Sequence, residues 1–431
     1  MKRNRIVFLL WIFVAVGAIV AKRDVFYNVW YLLSALLIVS YLWAWTSVRW
    51  VRVQRQARTT RSQVGKMVEE RLVIENKGIL PKLWLEVRDH STLPVHQVSR
   101  VISPLGARKA YTRTIKTRCL HRGRFMLGPI TLAGGDPFGL FKTTCRVEEP
   151  AAVPFIVYPA TVDVPAFAPL VGVLPGGDTM RRRTSFVTTN VAGVRDYAPG
   201  DSYNRIHWPS TARTGRLISK EFDLDPTADI WLLLDLERGA QVEPYSTDLS
   251  WTQARLPWEP GPALTLMPST VEYGVTIVAS LAKHFIAQDR AVGFIAYCPQ
   301  REIIPADRGE RQLTKILETL AVVRAEGQIP LAEIIAAEGV SLRRNTTAIV
   351  VTPTDRNFWI AAAREVIYRG VRVVTVLIER QSFGVSHSNR ELVDELAISG
   401  IPTYLVREGD DLAQALANPY AQAILPIGRW A

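Results

Sequence analysis

Two uncharged apolar runs, Ile6–Ala21 and Val25–Trp45, open the chain and are separated only by Lys22, Arg23 and Asp24. A membrane-spanning helix needs about twenty apolar residues to cross about 30 Å of hydrocarbon, a length the second run meets and the first approaches. The tight connection predicts a helical hairpin, since no small-x-small cleavage site precedes Lys22. Lys2, Arg3 and Arg5 lie before the hairpin, and Arg49, Arg52, Arg55, Arg58 and Arg61 come after it. Cations flanking both outer ends predict a multi-pass protein of the cell membrane with its soluble domains cytoplasmic. Arginines at every third position after Trp45 suit anionic lipid headgroups, so membrane lipid accounts for part of the formal charge of +12 and nucleic acid is not the expected partner.

From Met67 to Tyr158 the pattern becomes short alternating runs, such as Leu83, Leu85 and Val87, punctuated by Asn76-Lys77-Gly78 and Leu105-Gly106. That cadence predicts an antiparallel β-sandwich of immunoglobulin-like type. Within it, Ser91–Gly135 carries eight lysines and arginines and no carboxylate, a charge that suits membrane lipid, nucleic acid or an acidic partner and equally a face turned to water. Pro150, Pro154, Pro159, Pro165, Pro169 and Pro175 then predict a stiff connection, and Arg181, Arg182 and Arg183 follow as a run suited to phosphate or to solvent.

The stretch Gly193–Phe222 gathers Arg195, Arg205, Arg213 and Arg216 with Asp196, Asp201, Glu221 and Trp208 around the turn Pro199-Gly200. Asp201 is placed to cap a short helix, Pro209 to kink it and Gly215 to end it before a strand at Arg216–Phe222. The charged residues suit either an internal ion-pair network or a docking face. Beyond it, Asp229–Leu236 reads as a central parallel strand, and Asp235 sits at its carboxyl end. Helices and strands then alternate: Thr270–Gln288, Ala291–Tyr297, Gln312–Arg324, Ala348–Val351, Asn357–Tyr368, Val371–Leu377, Arg390–Ser399 and Thr403–Val406. These predict an α/β doubly wound domain, with ligands held outside the carboxyl ends of its strands. The segment between Glu237 and Pro268, with Trp251 and Trp258, is a long insertion at that edge.

The expected organisation is multidomain: a transmembrane helical hairpin (1–48), a basic juxtamembrane linker (49–66), a β-sandwich (67–158), a Pro-rich and basic linker (159–192), the charged stretch (193–222) and an α/β domain (223–431). Residues Arg195, Asp196, Tyr197, Pro199, Gly200, Asp201, Arg205, Ile206, Trp208, Thr211, Ala212, Arg213, Leu217 and Phe222 resemble the signature of a bacterial and archaeal family catalogued as domain of unknown function 58. Asp136-Pro137-Phe138-Gly139-Leu140-Phe141 resembles a second element of that family. Ser202 and Pro209 depart from the pattern. The resemblance implies that the α/β part is von Willebrand factor A-like, with a metal-dependent adhesion site of the form D-x-S-x-S. Here Glu237 and Gly239 replace the two serines, and Pro353 stands where a strand-end aspartate is usual. The resemblance also implies protein partners, a MoxR-type AAA+ ATPase and a transglutaminase-like membrane protein.

No Walker loop, G-x-S-x-G turn or G-x-G-x-x-G opens any helix, the six histidines lack metal-ligand spacing, and Cys119, Cys145 and Cys298 form no C-x-x-C pair. The reading is therefore a non-enzymatic, membrane-anchored scaffold or adaptor without catalytic residues or cofactor. Its docking residues, or domain clamp, are Arg195, Asp196, Tyr197, Asp201, Arg205, Trp208 and Arg213. The alternatives are a metal-dependent hydrolase, in which Asp235, Glu237 and Asp355 would hold magnesium beside His207, and a lipid- or nucleic-acid-binding module.

Overall fold

A computed structural model describes residues 2–147, 152–167, 183–184, 191–197, 206–223, 229–243, 266–386 and 389–420. Expectations placed on Asp201, Arg205, Pro199-Gly200, Arg181, Arg182, Trp251 and Trp258 fall outside the described residues. The chain divides into two compact units, the first running to Ala160 and the second holding most of the chain from Thr161 onward.

In the first unit, α1 (Lys2–Ala21) and α2 (Asp24–Ser47) fold against each other, with the Trp11 indole donating to Ser34 Oγ at 2.8 Å. Helix α2 is long and apolar enough to cross a membrane, while Arg5–Ala21 is a shorter apolar stretch. Three sheets come next. Strands β1 (Val51–Ala57), β3 (Met67–Asn76) and β6 (Ala110–Arg118) form one antiparallel sheet. A second, also antiparallel, runs in the order β5 (Arg100–Ile102), β4 (Leu85–Asp89), β8 (Ile130–Gly135) and β9 (Lys142–Arg146). The third pairs β2 (Arg61–Gln63) and β7 (Gly123–Leu127) with β10 (Val153–Tyr158). Val53, Leu72, Ile74 and Ile115 from the first sheet and Leu85, Val87, Ile130 and Leu132 from the second share one buried core. Val48, directly after α2, belongs to that core as well, so the apolar helix feeds straight into the sheets.

Two polar groups fix this junction. Lys82 is buried and its ammonium donates to Thr46 O at 2.5 Å, joining Arg49 N, which donates to the same carbonyl at 3.2 Å at the end of α2. Burial pushes the Lys82 ammonium below its ordinary pKa. Gly134 of β8 lies so close to α2 that a Cβ there would sit 2.5 Å from Ser47 Oγ, so only glycine fits. The Asp136–Phe141 turn completes the seat. Asp136 is buried, and its carboxylate accepts from Phe138 N at 3.0 Å and Phe141 N at 2.6 Å, while Gly139 supplies φ 68°. The turn thereby aims Phe141 at Phe8 of α1 and Tyr41 of α2, with ring centroids 6.4 and 5.7 Å apart.

Residues 49–66 are therefore not the linker expected from their charge. Strand β1 takes up Val51–Ala57 and β2 takes up Arg61–Gln63, and alternation in β1 sends Arg52 outward but Arg55 inward. The Arg55 side chain is 2% exposed, ion-paired with Glu70 and, at 2.9 Å, with Asp89. His96 Nε2 lies 3.1 Å from Glu70, and its Nδ1 is 2.7 Å from Thr117 Oγ1. Burial raises the Glu70 pKa, but the hydrogen bond from His96 and the charge of Arg55 outweigh it and hold the carboxyl below its usual range. The basic stretch Ser91–Gly135 is likewise not one face, because β6, β7 and β8 belong to three different sheets.

The second unit contains a small sheet in the order β11 (Arg183–Thr184), β13 (Ile218–Asp223) and β12 (Val191–Asp196), all antiparallel. It is built mainly on a six-stranded sheet of β14 (Ile230–Leu234), β15 (Val292–Tyr297), β16 (Arg301–Asp307), β17 (Thr347–Thr352), β18 (Arg372–Ile378) and β19 (Thr403–Val406). The spatial order of this larger sheet is β16-β15-β14-β17-β18-β19, all parallel except the edge strand β16. Leu233, Ile295 and Val350 pack on one face against Leu331–Gly339, Phe358–Tyr368 and Arg390–Ile398. Leu234 and Val351, one residue on, meet Gly274 of Thr270–Ala287 on the other. Such a sheet, with helices on both faces, is doubly wound, as the alternation predicts. Part of the expected 159–192 linker also belongs to this unit. Val164 and Phe167 are buried, Phe167 stacks 4.8 Å from Tyr404, and Val162 N donates to Ser280 Oγ.

The Arg55 cluster yields a direct test. Arg55→Met leaves two buried carboxylates short of a cation and should cost about 3–5 kcal/mol in urea unfolding of the first unit. Arg52→Met, on the outward face of the same strand, should change stability by less than about 0.5 kcal/mol.

Candidate functional site

A doubly wound sheet opens its ligand crevice where the strand order reverses, because neighbouring connections there leave in opposite directions. Here that point lies between β14 and β17, the first and fourth strands of the larger sheet. Asp235 comes directly after β14, and Thr352 ends β17. The two meet: Thr352 Oγ1 donates to Asp235 Oδ2 at 2.6 Å, and Glu237 N donates to Oδ1 at 3.0 Å. Thr352 Oγ1 in turn accepts from Thr354 N. The Asp235 carbonyl accepts from Gln241 Nε2, and Gln241 Oε1 accepts from the hydroxyl of Thr270, the first residue of its helix. A single network thus ties the β14 and β17 loops to a helix start.

Asp235 is fully buried, and that burial pushes its pKa up to about 6 despite the hydrogen bonds from Thr352 and Glu237. The other two candidate ligands are occupied. Glu237 pairs with Arg356 at 3.3 Å, and Asp355 pairs with Arg380 at 3.0 Å. Among the described residues, no group of three or more His, Cys, Asp or Glu side chains is gathered that could hold a metal ion. A cation entering here would have to compete with Arg356 for Glu237 and with Arg380 for Asp355.

The charged stretch lies elsewhere in the second unit. Backbone pairing between β12 and β13 sets Arg195 opposite Ser219 and Asp196 opposite Ile218, and Tyr197 N donates to Leu217 O. Helix α3 spans Trp208–Thr214 and so begins later than Asp201 would have capped it. Pro209 sits in its first turn, where a missing N–H costs nothing, and starts the helix rather than kinking it. Gly215 ends it at φ 65°, as expected. His207 flanks the helix start with Nδ1 2.7 Å from Ser210 Oγ. Trp208 is 63% exposed and Arg213 is exposed, whereas Ile206 and Ile218 are buried. Thr352, Gln241, Thr270, Arg356 and Arg380 complete the strand-end network and carry no sequence signal beyond proximity to strand ends.

The raised Asp235 pKa has a sign that can be measured. A group whose pKa rises on folding, from 3.8 to about 6, lends stability that is fully present below 3.8 and lost as pH climbs through about 6. At neutral pH the ionised carboxyl should cost the second unit on the order of 3 kcal/mol. Asp235→Asn should flatten the fall in stability between acid and neutral pH, read by urea unfolding at a series of pH values. An unchanged slope would show that the carboxyl is ionised without penalty.

A family model described as "Protein of unknown function DUF58" matches residues 193–247, which cover the charged stretch, β14 and Asp235. The chain is 20% identical over 395 residues to the "Uncharacterized protein YeaD" of Bacillus subtilis (strain 168), spanning 88% of this chain and 89% of that protein. Solved structures are only slightly similar. The CARDB domain of the PF1109 protein from Pyrococcus furiosus matches 25% of this chain and 91% of its own at 17% identity and a TM-score of 0.19. Proximal thread matrix protein 1 from the mussel byssus matches 44% of this chain and 46% of its own at 11% identity and a TM-score of 0.30. The first two findings together support the placement of this chain in the DUF58 family.

Proposed function

We propose that the protein is a membrane-anchored scaffold, with α1 and α2 spanning as a hairpin, both soluble units cytoplasmic, and the second unit docking a protein partner. The observation that carries this reading is the closure of the strand-end edge. Asp235 is used inside the fold, and arginines neutralise Glu237 and Asp355. An edge so arranged offers a shaped polar surface in place of coordination or proton-transfer chemistry. The strand order, with its antiparallel third strand and an aspartate after the first, supports a von Willebrand factor A-like identity for this unit. The shared core of two antiparallel sheets supports an immunoglobulin-like first unit. Cations on both sides of the helices support the cytoplasmic orientation.

The family resemblance makes a MoxR-type AAA+ ATPase the partner, and the exposed Trp208 and Arg213 of α3 suit an interface anchor, since tryptophan and arginine carry much of the energy at hot spots. The test is titration of the purified full chain with the MoxR-type ATPase of the same genome. Saturable binding is expected, weakened about tenfold or more by Trp208→Ala with Arg213→Ala. No binding, or binding indifferent to both substitutions, would contradict the reading.

A further inference from the structure

The end of α2 is surrounded by loops of the first unit that carry apolar tips and a cationic collar. Trp50 is 56% exposed, Ile79 75% and Leu80 39%. The loop that carries Ile79 and Leu80 starts beside Trp50: Lys77 N donates to Trp50 O at 2.8 Å, and a Cβ at Gly78 would lie 3.6 Å from the Trp50 side chain. The patch is built to stay open. Buried Asn76 donates to Leu80 O and to Gly106 O, fixing both loops so that Ile79 and Leu80 cannot fold inward. Arg108 N donates to Gly78 O, which places Arg108 and Lys109, both exposed, beside exposed Lys77. Arg49 stacks 4.1 Å from the Trp45 ring centroid, and no carboxylate occurs between Lys77 and Lys82 or between Leu105 and Lys109.

A second part of the same unit reaches further along α2. Phe141 packs on Tyr41, which precedes the last residue of α2 by about 9 Å along the helix axis. A side chain of the sheets thus lies beside helix that the spanning reading puts at or below the headgroup level. Phe138, on the same turn, is 50% exposed. Apolar tips ringed by lysine and arginine, continuous with an apolar helix, match the chemistry of an anionic bilayer surface.

We infer that the first unit does not hang from α2 but is seated in the bilayer interface, with the Lys77–Pro81 loop and the Asp136–Phe141 turn inserted and Arg49, Lys77, Arg108 and Lys109 on anionic headgroups. This rests on α2 spanning the membrane, and the test separates the two. In the full chain carrying Cys119→Ala, Cys145→Ser and Cys298→Ala, a fluorescent probe is attached through Ile79→Cys, Leu32→Cys or Arg118→Cys. Each protein is placed in nanodiscs of phosphatidylcholine, with or without phosphatidylglycerol, doped with spin-labelled lipid. Leu32 lies within α2, and Arg118 lies at the far end of β6 from Ala110, the end that adjoins the patch.

Shallow spin labels should quench the Ile79→Cys probe by about half and leave the Arg118→Cys probe unquenched, while deep labels quench the Leu32→Cys probe. Phosphatidylglycerol should deepen the quenching at Ile79→Cys, and Lys77→Gln with Arg108→Gln and Lys109→Gln should abolish that increment. If Leu32→Cys is quenched but Ile79→Cys behaves like Arg118→Cys, seating is wrong and spanning stands. If Leu32→Cys escapes deep labels, spanning fails and seating with it. Equal quenching at Ile79→Cys in both lipid compositions overturns the role of the cationic collar.

Discussion

A lysine ammonium on a helix carbonyl holds the first unit together. At the end of α2, Lys82 meets the Thr46 carbonyl from the sheet side, joining Arg49 N on the same oxygen. A buried ammonium is costly unless it is hydrogen-bonded, so the contact fixes both partners. Gly134 allows β8 to approach Ser47, Val48 enters the core, and the Asp136 turn delivers Phe141 to the hairpin. Helix and sheets are thereby joined by polar, apolar and close backbone contacts. A flexible tether would leave the orientation of the sheets relative to α2 undefined, whereas the contacts at this junction set it.

The second unit uses polar groups differently. Its strand-end aspartate faces inward, held by Thr352 and Glu237 N, and its neighbouring carboxylates are matched by arginines. A raised Asp235 pKa is the cost of placing a carboxyl in a dry position where hydrogen bonds hold two loops in register. Such an arrangement trades stability at neutral pH for a defined surface.

Much of this was legible in the residues. The apolar alternation located β14, β15, β17, β18 and β19 and most of the helices, because buried parallel strands are nearly continuous apolar runs. Strand β16 escaped because it is an edge strand with a largely exposed face and a proline at 305. Leu331–Gly339 escaped as a short helix after Pro330. Arginine at every third position from 49 to 61 suggested a lipid-facing stripe, yet strand periodicity is two, and that turned Arg55 into the core. Nothing local to Arg55 shows that Glu70, Asp89 and His96 wait for it across two sheets. At the strand-end site, Asp235 was found from its position, whereas Arg356 and Arg380 became visible only when the fold brought the loops together.

The continuity of α2 with the sheets is the claim on which the account depends, and amide hydrogen exchange across residues 46–53 of the full chain tests it most directly. If Lys82, Val48 and β1 join helix to sheet, these amides should exchange as slowly as those of β3 at the centre of its sheet. Exchange as fast as an unstructured chain, with β3 still protected, would show a flexible tether and contradict the account.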